Sequence, residues 1–253
     1  SSCFASEKSN SKSVPIEATK QTSITSSLSP DQLYQKAMSI LQQTFQLDSL
    51  RKLQPIAVRS VLEGKSQLII MATGGGKSLC YQLPALVMQG LTIVISPLIA
   101  LMTDQVNALH SKGIHADFIS SAKTAAENKA VLDTLKQMAG LKKKEKKVKK
   151  LKLLYVTPES MQTARFQKVL KALNQAKQLS FLAIDEAHCL STWGHDFRKA
   201  FLKLSWFRDE FPHLPVMALT ATATDTVIQD IQKILKFGKN DLLHKSSFNR
   251  ENI

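Results

Sequence analysis

The sequence predicts an α/β fold in which helices cover both faces of a central parallel sheet. Short apolar runs alternate along the chain with longer stretches of helical periodicity, and the runs are continuously apolar rather than alternating with polar residues. Strands of that kind are buried on both faces, which is typical of parallel sheets. The predicted strands span residues 67–71, 92–96, 116–120, 152–156, 181–184 and 215–219.

Order is predicted to begin near residue 29. Residues 1–28 are rich in Ser, Thr and Lys and lack apolar periodicity, so we expect a disordered tail. Ser29 suits a helix N-cap, Pro30 the first helical position and Gln32 the reciprocal position of a capping box. A second helix is expected over residues 54–63, and one domain over residues 29–247.

The composition limits the kinds of molecule that the protein is expected to bind. The chain has 253 residues, a net charge of +14 and three widely spaced cysteines, which argues against a disulfide framework or a structural zinc site. No apolar run approaches the roughly 18 residues of a membrane span, so no membrane partner is expected. The basic charge favours a polyanion. A lysine-rich insertion at 141–151 supplies much of that charge; a solvated loop, a nucleic-acid contact and a nuclear-import patch all remain open for it.

A glycine-rich turn between the first predicted strand and the next helix predicts a phosphate-binding loop. The run is Thr73-Gly74-Gly75-Gly76-Lys77-Ser78. Glycines let backbone N–H groups converge on phosphate oxygens, and the following helix N-terminus adds partial positive charge. We expect Lys77 to contact the β- and γ-phosphates of ATP and Ser78 to bind Mg²⁺. A flexible turn is the alternative for such a run taken alone.

A pair of carboxylates directly follows the fifth predicted strand. Asp185 is expected to hold Mg²⁺, and Glu186 to orient and deprotonate an attacking water. In a doubly wound parallel sheet, strand ends of this kind lie beside the phosphate loop. Together the two motifs predict a nucleotide-hydrolysing site.

Several segments, taken in their order along the chain, resemble motifs of the RecQ family of superfamily 2 helicases. The resemblance covers residues 31–253 and includes 71–85 (motif I), 96–105 (motif Ia), 155–159 (motif Ib), 185–189 (motif II) and 218–224 (motif III). It implies a RecA-like P-loop domain, the first of two motor lobes, with residues 248–253 leading toward a second lobe that we do not find in this chain.

The resemblance also implies roles for individual residues. Arg51 and Gln54 would bind the nucleotide, Gln54 through adenine, and His188 would couple motif II to motif III. Its partners there would be Thr220 and Thr222. Nucleic-acid contacts are expected from Ser96, Pro97, Leu98, Thr157, Trp193, His195, Phe197 and Arg198. Trp193 and Phe197 lie in a polar loop, where they offer stacking faces to unpaired bases.

By this resemblance the parent protein is expected to be an ATP-dependent 3′–5′ DNA helicase of repair or recombination, acting on single strands and duplex junctions. A DEAH-type RNA helicase and a truncated nucleic-acid-binding module are the alternatives. We expect a nuclear location, with a bacterial cytoplasm as the alternative.

Overall fold

The computed structural model describes residues 28–142, 150–192 and 204–245. Their seven strands form one sheet. The strands are β1 (Gln67–Ile70), β2 (Leu91–Ile95), β3 (Ala116–Ile119), β4 (Leu153–Val156), β5 (Leu179–Ile184), β6 (Val216–Thr220) and β7 (Leu242–Lys245). Their order is β3-β4-β2-β5-β6-β1-β7, and every pairing is parallel. The predicted fold class is confirmed, and all six predicted strands are present.

Ten helices lie in the described residues. They are α1 (Pro30–Phe45), α2 (Gln54–Leu62), α3 (Lys77–Val87), α4 (Ile99–Ser111), α5 (Ala125–Met138), α6 (Pro158–Met161), α7 (Ala164–Gln175), α8 (Cys189–Thr192), α9 (Ser205–Glu210) and α10 (Asp225–Ile234). The capping box of α1 forms as expected, with the Ser29 amide donating to Gln32 Oε1 at 2.8 Å and the Gln32 amide donating to Ser29 Oγ at 3.2 Å. None of the helices in the described residues is long and apolar enough to cross a membrane.

Apolar cores cover both faces of the sheet. On one face, strand residues such as Ile95 and Ile184 pack with residues of α5, α7, α9 and α10. On the other face, Val94 and Ala183 pack with α2, α3 and α4. Burial on both faces explains why these strands are continuously apolar in the sequence. The arrangement places α3 and α4 side by side over the central strands.

Strand β7 was not predicted from the sequence. It lies at the sheet edge beside β1, and its side chains alternate between half-buried and exposed. An edge strand needs fewer apolar residues, and His244 and Lys245 interrupt the apolar pattern by which the other strands are recognised.

A partly buried arginine joins the starts of three strands. Arg208, on α9, donates to Ser66 Oγ at 2.8 Å and to Asp241 Oδ2 at 3.3 Å. The same Ser66 oxygen accepts the Val216 amide at 3.0 Å, and Asp241 accepts the Gly238 amide at 2.7 Å. Charge-assisted hydrogen bonds at partly buried positions are among the stronger ones. This cluster therefore fixes the ends of β1, β6 and β7 that lie opposite the phosphate loop.

Three sequence predictions fall outside the described residues. These are nearly all of the tail at 1–28, most of the lysine-rich insertion at 141–151, and the segment at 248–253.

Candidate nucleotide-binding site

The phosphate loop connects the end of β1 to the start of α3, at the carboxyl edge of the sheet. Gly74 and Gly76 have φ values of 77° and 76°, a region that residues with a Cβ rarely adopt. A Cβ on Gly75 would lie 2.7 Å from Met71 Cγ and 2.9 Å from the Ala72 carbonyl oxygen. The loop conformation therefore requires its glycines. It ends at the N-terminus of an 11-residue helix, which is suited to binding anions.

Gln54 supports this loop from α2. Its side chain is 5% exposed, and its Nε2 donates to the carbonyl oxygens of Gly76 at 3.0 Å and Gly75 at 3.3 Å. Its Oε1 accepts the Arg51 amide at 2.8 Å. The carboxamide thus links α2 to the phosphate loop. The predicted contact of Gln54 with adenine would require it to exchange some of these bonds.

Strand β5 delivers the two carboxylates to the same edge. Asp185 is 6% exposed, and its amide donates to the Ile95 carbonyl oxygen of β2 at 2.8 Å. Glu186 has a φ of 50°, so the chain turns sharply there. Lys77 Nζ lies 3.9 Å from Glu186 Oε1, and both side chains are largely buried, with 11% and 22% exposure. The structure therefore brings together the lysine of the loop and the carboxylates predicted to act with it.

Asp185 is held in an environment that disfavours its charge. Burial raises its pKa from the ordinary 3.8 to about 6, and the neighbouring Glu186 carboxylate adds to the increase. The Glu186 amide, the Lys77 ammonium and the Tyr81 hydroxyl oppose it. A buried carboxylate with a raised pKa gains more from a bound cation than a solvated one would.

His188 connects the segments that follow β5 and β6. Its Nδ1 lies 3.0 Å from Thr220 Oγ1 and 3.3 Å from Glu186 Oε2. The Thr220 hydroxyl donates to the Thr222 carbonyl oxygen at 3.0 Å, so its lone pairs are left to accept from His188. Thr222 thus takes part through its backbone. This chain of contacts joins the predicted catalytic carboxylate to the end of β6.

A cavity of about 380 Å³ adjoins the phosphate loop. Its walls include Arg51, Gln54, the loop glycines and Ser78. Sequence reasoning did not identify the opposite wall, which α4 provides through Gln105, Ala108 and Leu109, together with Lys112 directly after the helix. Gln105 ends the motif Ia segment but was not predicted to line a nucleotide site, and no motif marks the other three positions, because all four reach the cavity only through the packing of α4 beside α3. The volume is in the ordinary range of small-molecule sites.

The residues present fit a magnesium nucleotide. The described residues contain no cluster of three or more His, Cys, Asp or Glu side chains that could hold a metal ion. Mg²⁺ is usually held by one or two protein groups together with water and substrate phosphates. Ser78 and Asp185 would supply those groups, and the glycine loop and Lys77 would hold the phosphates.

The predicted nucleic-acid residues differ in accessibility. Leu98 is 44% exposed, whereas Ser96 is 1% exposed, and its hydroxyl has no hydrogen-bond partner among the described residues. Thr157 is also buried, and its hydroxyl accepts the Ser160 amide at 3.3 Å as the cap of α6. Pro97 is half-buried. The aromatic-loop residues lie outside the described residues; they are Trp193, His195, Phe197 and Arg198.

Comparison with known proteins agrees with this geometry. A family model described as "DEAD/DEAH box helicase" matches residues 51–231. The chain belongs to the DEAD/DEAH box helicase family. That match includes the phosphate loop, both carboxylates and Thr220.

Curated relatives extend the resemblance. The chain is 46% identical over 221 residues to the ATP-dependent DNA helicase RecQ of Pasteurella multocida, covering 87% of this chain and 32% of that protein. It is 41% identical over 219 residues to the ATP-dependent DNA helicase Q1 of Mus musculus, covering 86% of this chain and 32% of that protein. The predicted resemblance to RecQ helicases is confirmed, and the chain spans about a third of the length of these relatives.

Among solved structures, the helicase MrfA bound to DNA and AMPPNP matches with a TM-score of 0.61 and 19% identity. The match covers 85% of this chain and 29% of that one. At this identity the likeness supports the fold alone.

Proposed function

We propose that this chain is the nucleotide-binding lobe of a RecQ-type ATP-dependent DNA helicase, which couples ATP hydrolysis to 3′–5′ movement along single-stranded DNA and to duplex unwinding. The observation that supports this most directly is the approach of Lys77 Nζ to Glu186 Oε1 at 3.9 Å across the carboxyl edge of the sheet. Relatives named as ATP-dependent DNA helicases share about four in ten residues or more with the chain.

The chemistry follows from the positions of these groups. Backbone N–H groups of the glycine loop and Lys77 would hold the phosphates of ATP, while Ser78 and Asp185 would hold Mg²⁺. A bound Mg²⁺ would neutralise charge on the phosphate oxygens. Glu186 would orient a water molecule and accept its proton, and His188 Nδ1 lies 3.3 Å from that carboxylate.

His188 also offers a route for communication. Its contact with Thr220 ties the position of Glu186 to the segment that follows β6. A displacement of that segment would turn the imidazole and so move the carboxylate. We propose that this link, together with the aromatic loop of Trp193 and Phe197, couples binding of single-stranded DNA to hydrolysis.

Nucleotide binding by the 253-residue chain tests the proposal. We expect a fluorescent ATP analogue with Mg²⁺ to bind, and Lys77→Ala to weaken binding by at least about tenfold, because one charge-assisted phosphate contact contributes roughly 1.5–3 kcal/mol. Lys65→Ala is the control, since Lys65 lies at the other end of β1 and pairs with Glu63 at 2.7 Å. Binding that Lys77→Ala leaves unchanged would refute the proposed site.

Nucleic-acid selectivity separates the DNA helicase from the alternatives. We expect the chain to bind single-stranded DNA, and ATP turnover, where measurable, to be stimulated more by DNA than by RNA and to be lost in Glu186→Gln. Stronger stimulation by RNA would favour an RNA helicase. DNA binding with no nucleotide binding at all would favour a nucleic-acid-binding module.

We propose a nuclear location, with a bacterial cytoplasm as the alternative, since the relatives include both bacterial and animal proteins. Deleting residues 142–152 from a fluorescent fusion expressed in animal cells tests whether the lysine run directs import. Unchanged nuclear accumulation would argue against that role.

A further inference from the structure

A buried glutamine beneath the nucleotide site joins three elements. Gln82, on α3, is 6% exposed. Its Nε2 donates to Gln105 Oε1 of α4 at 2.7 Å and to the Tyr155 hydroxyl of β4 at 3.3 Å. A carboxamide nitrogen has two N–H groups, so both bonds can form at once. Gln82 therefore holds α3 against α4 and β4 through specific polar contacts within an otherwise apolar layer.

The three elements lead to different parts of the site. Helix α3 begins at Lys77, so any shift of the phosphate loop on binding phosphate is transmitted to it directly. Helix α4 follows the segment of Ser96 and Leu98, and Tyr155 lies two residues before Thr157. The partners of Gln82 thus lie on the helix that follows one, and on the strand that precedes the other, of the two segments predicted to face nucleic acid.

The neighbouring Tyr81 strengthens this connection. It is fully buried, and its ring meets that of Tyr155 edge-on with centroids 6.3 Å apart. The Tyr81 hydroxyl also lies within electrostatic reach of Asp185. Two consecutive residues of α3 therefore contact the surroundings of the Mg²⁺ carboxylate on one side and α4 and β4 on the other.

A buried hydrogen bond favours discrete positions over gradual sliding. Breaking the bond to Tyr155 would leave its buried hydroxyl without that donor, which costs more than the net value of a formed bond. When α3 moves, its partners must either move with it or lose a bond. The carboxamide is therefore suited to pass a displacement from one element to the next.

We propose that Gln82 is a positioning residue that transmits occupancy of the nucleotide site to the nucleic-acid-facing segment at residues 155–161. The inference rests on the proposed function, because it takes α3 to respond to bound phosphate and segment 155–161 to face nucleic acid. Gln82 lines the cavity beside the phosphate loop, but the inference assigns its effect to its bonds with Gln105 and Tyr155.

Amide hydrogen exchange of the 253-residue chain, with and without Mg²⁺ and AMPPNP, tests this inference. Segment 155–161 is the readout because none of its residues lines the cavity, whereas α4 does and would respond to direct contact. We expect nucleotide to change exchange in 155–161 by at least about fivefold, the lower end of ordinary coupling between sites. Gln82 itself lines the cavity, so Gln82→Met is compared at a nucleotide concentration that saturates the variant. Under that condition the response of 155–161 should be lost.

Two further variants exclude a merely structural effect. Gln137→Met replaces another buried glutamine, on α5, which does not line the cavity, and it should leave the response intact. Tyr155→Phe removes only one acceptor of Gln82. It should abolish the response of 155–161 while α4 still responds. This variant replaces Gln82→Met as the test if Gln82→Met does not fold.

The possible failures are distinguishable. If nucleotide binds but 155–161 does not respond in the unmodified chain, or still responds in Gln82→Met or Tyr155→Phe, the inference is wrong while the proposed function stands. If the unmodified chain binds no nucleotide, the proposed function fails, and the inference fails with it.

Discussion

Replacing Asp185 with asparagine should make the free protein more stable. The pKa of this carboxyl is about 6 in the folded protein against an ordinary 3.8, so folding costs free energy whenever the group is ionised. Each pH unit of difference corresponds to about 1.4 kcal/mol, which gives about 3 kcal/mol at pH 8. Asparagine has a similar shape and does not ionise, so Asp185→Asn should recover about 2–3 kcal/mol.

The dependence on pH has a defined sign. Between about pH 4 and pH 6 the folded state binds more protons than the unfolded state, so the free energy of unfolding falls as pH rises through that window. Below about pH 4 the carboxyl is protonated in both the folded and the unfolded state, so Asp185→Asn gains no stability from its lack of charge. At pH 5 the gain from Asp185→Asn should therefore be about half of its value at pH 8.

Urea denaturation in EDTA, without nucleotide, measures this directly. The control is Asp209→Asn, because Asp209 is 57% exposed and pairs with Lys236 at the surface. We expect a clear increase in the urea midpoint at pH 8 for Asp185→Asn and little change for the control. Equal or lower stability of Asp185→Asn at pH 8, or the same gain at pH 5 and pH 8, would refute the reasoning. A confirmed gain would mean that the chain gives up stability to keep a buried carboxylate at this site.

Two further substitutions test the supports of the site. Gly76→Ala should weaken Mg²⁺–nucleotide binding by at least about tenfold and destabilise the fold by about 1–2 kcal/mol, because a Cβ there would lie 2.3 Å from Gln54 Nε2 at a φ of 76°. Isothermal titration measures the nucleotide affinity, and urea denaturation measures the stability. Gly113→Ala is the control: Gly113 has a φ of 72° but open space around it, so this variant has the backbone strain without the clash. Arg208→Leu should lower the free energy of unfolding by about 1–3 kcal/mol, since it takes a charged donor from Ser66 and Asp241 at the opposite edge of the sheet. Nucleotide affinity at a temperature where the variant stays folded should be unchanged, and a large loss of affinity with unchanged stability would contradict this assignment.

Local patterns were sufficient to predict the frame of the protein. Strands buried on both faces must be apolar throughout, so six of them were evident, and the carboxylates were evident because they directly follow β5. The glycine run could be assigned because a phosphate loop needs left-handed backbone and has no room for a Cβ, as Gly75 and Gly76 show. These requirements act over a few residues and are therefore visible in the sequence by itself.

Contacts between distant segments were decided only by the tertiary structure. The packing of α4 beside α3 places Gln105 at both the cavity and Gln82, and no pattern within either helix indicates that. The carboxamide of Gln54 is occupied by loop carbonyl groups, although its residue type suggested a contact with a base. Ser96 is buried because β2 lies between β4 and β5 in the middle of the sheet. Sheet order and helix packing set these neighbours, and both depend on the whole chain rather than on adjacent residues.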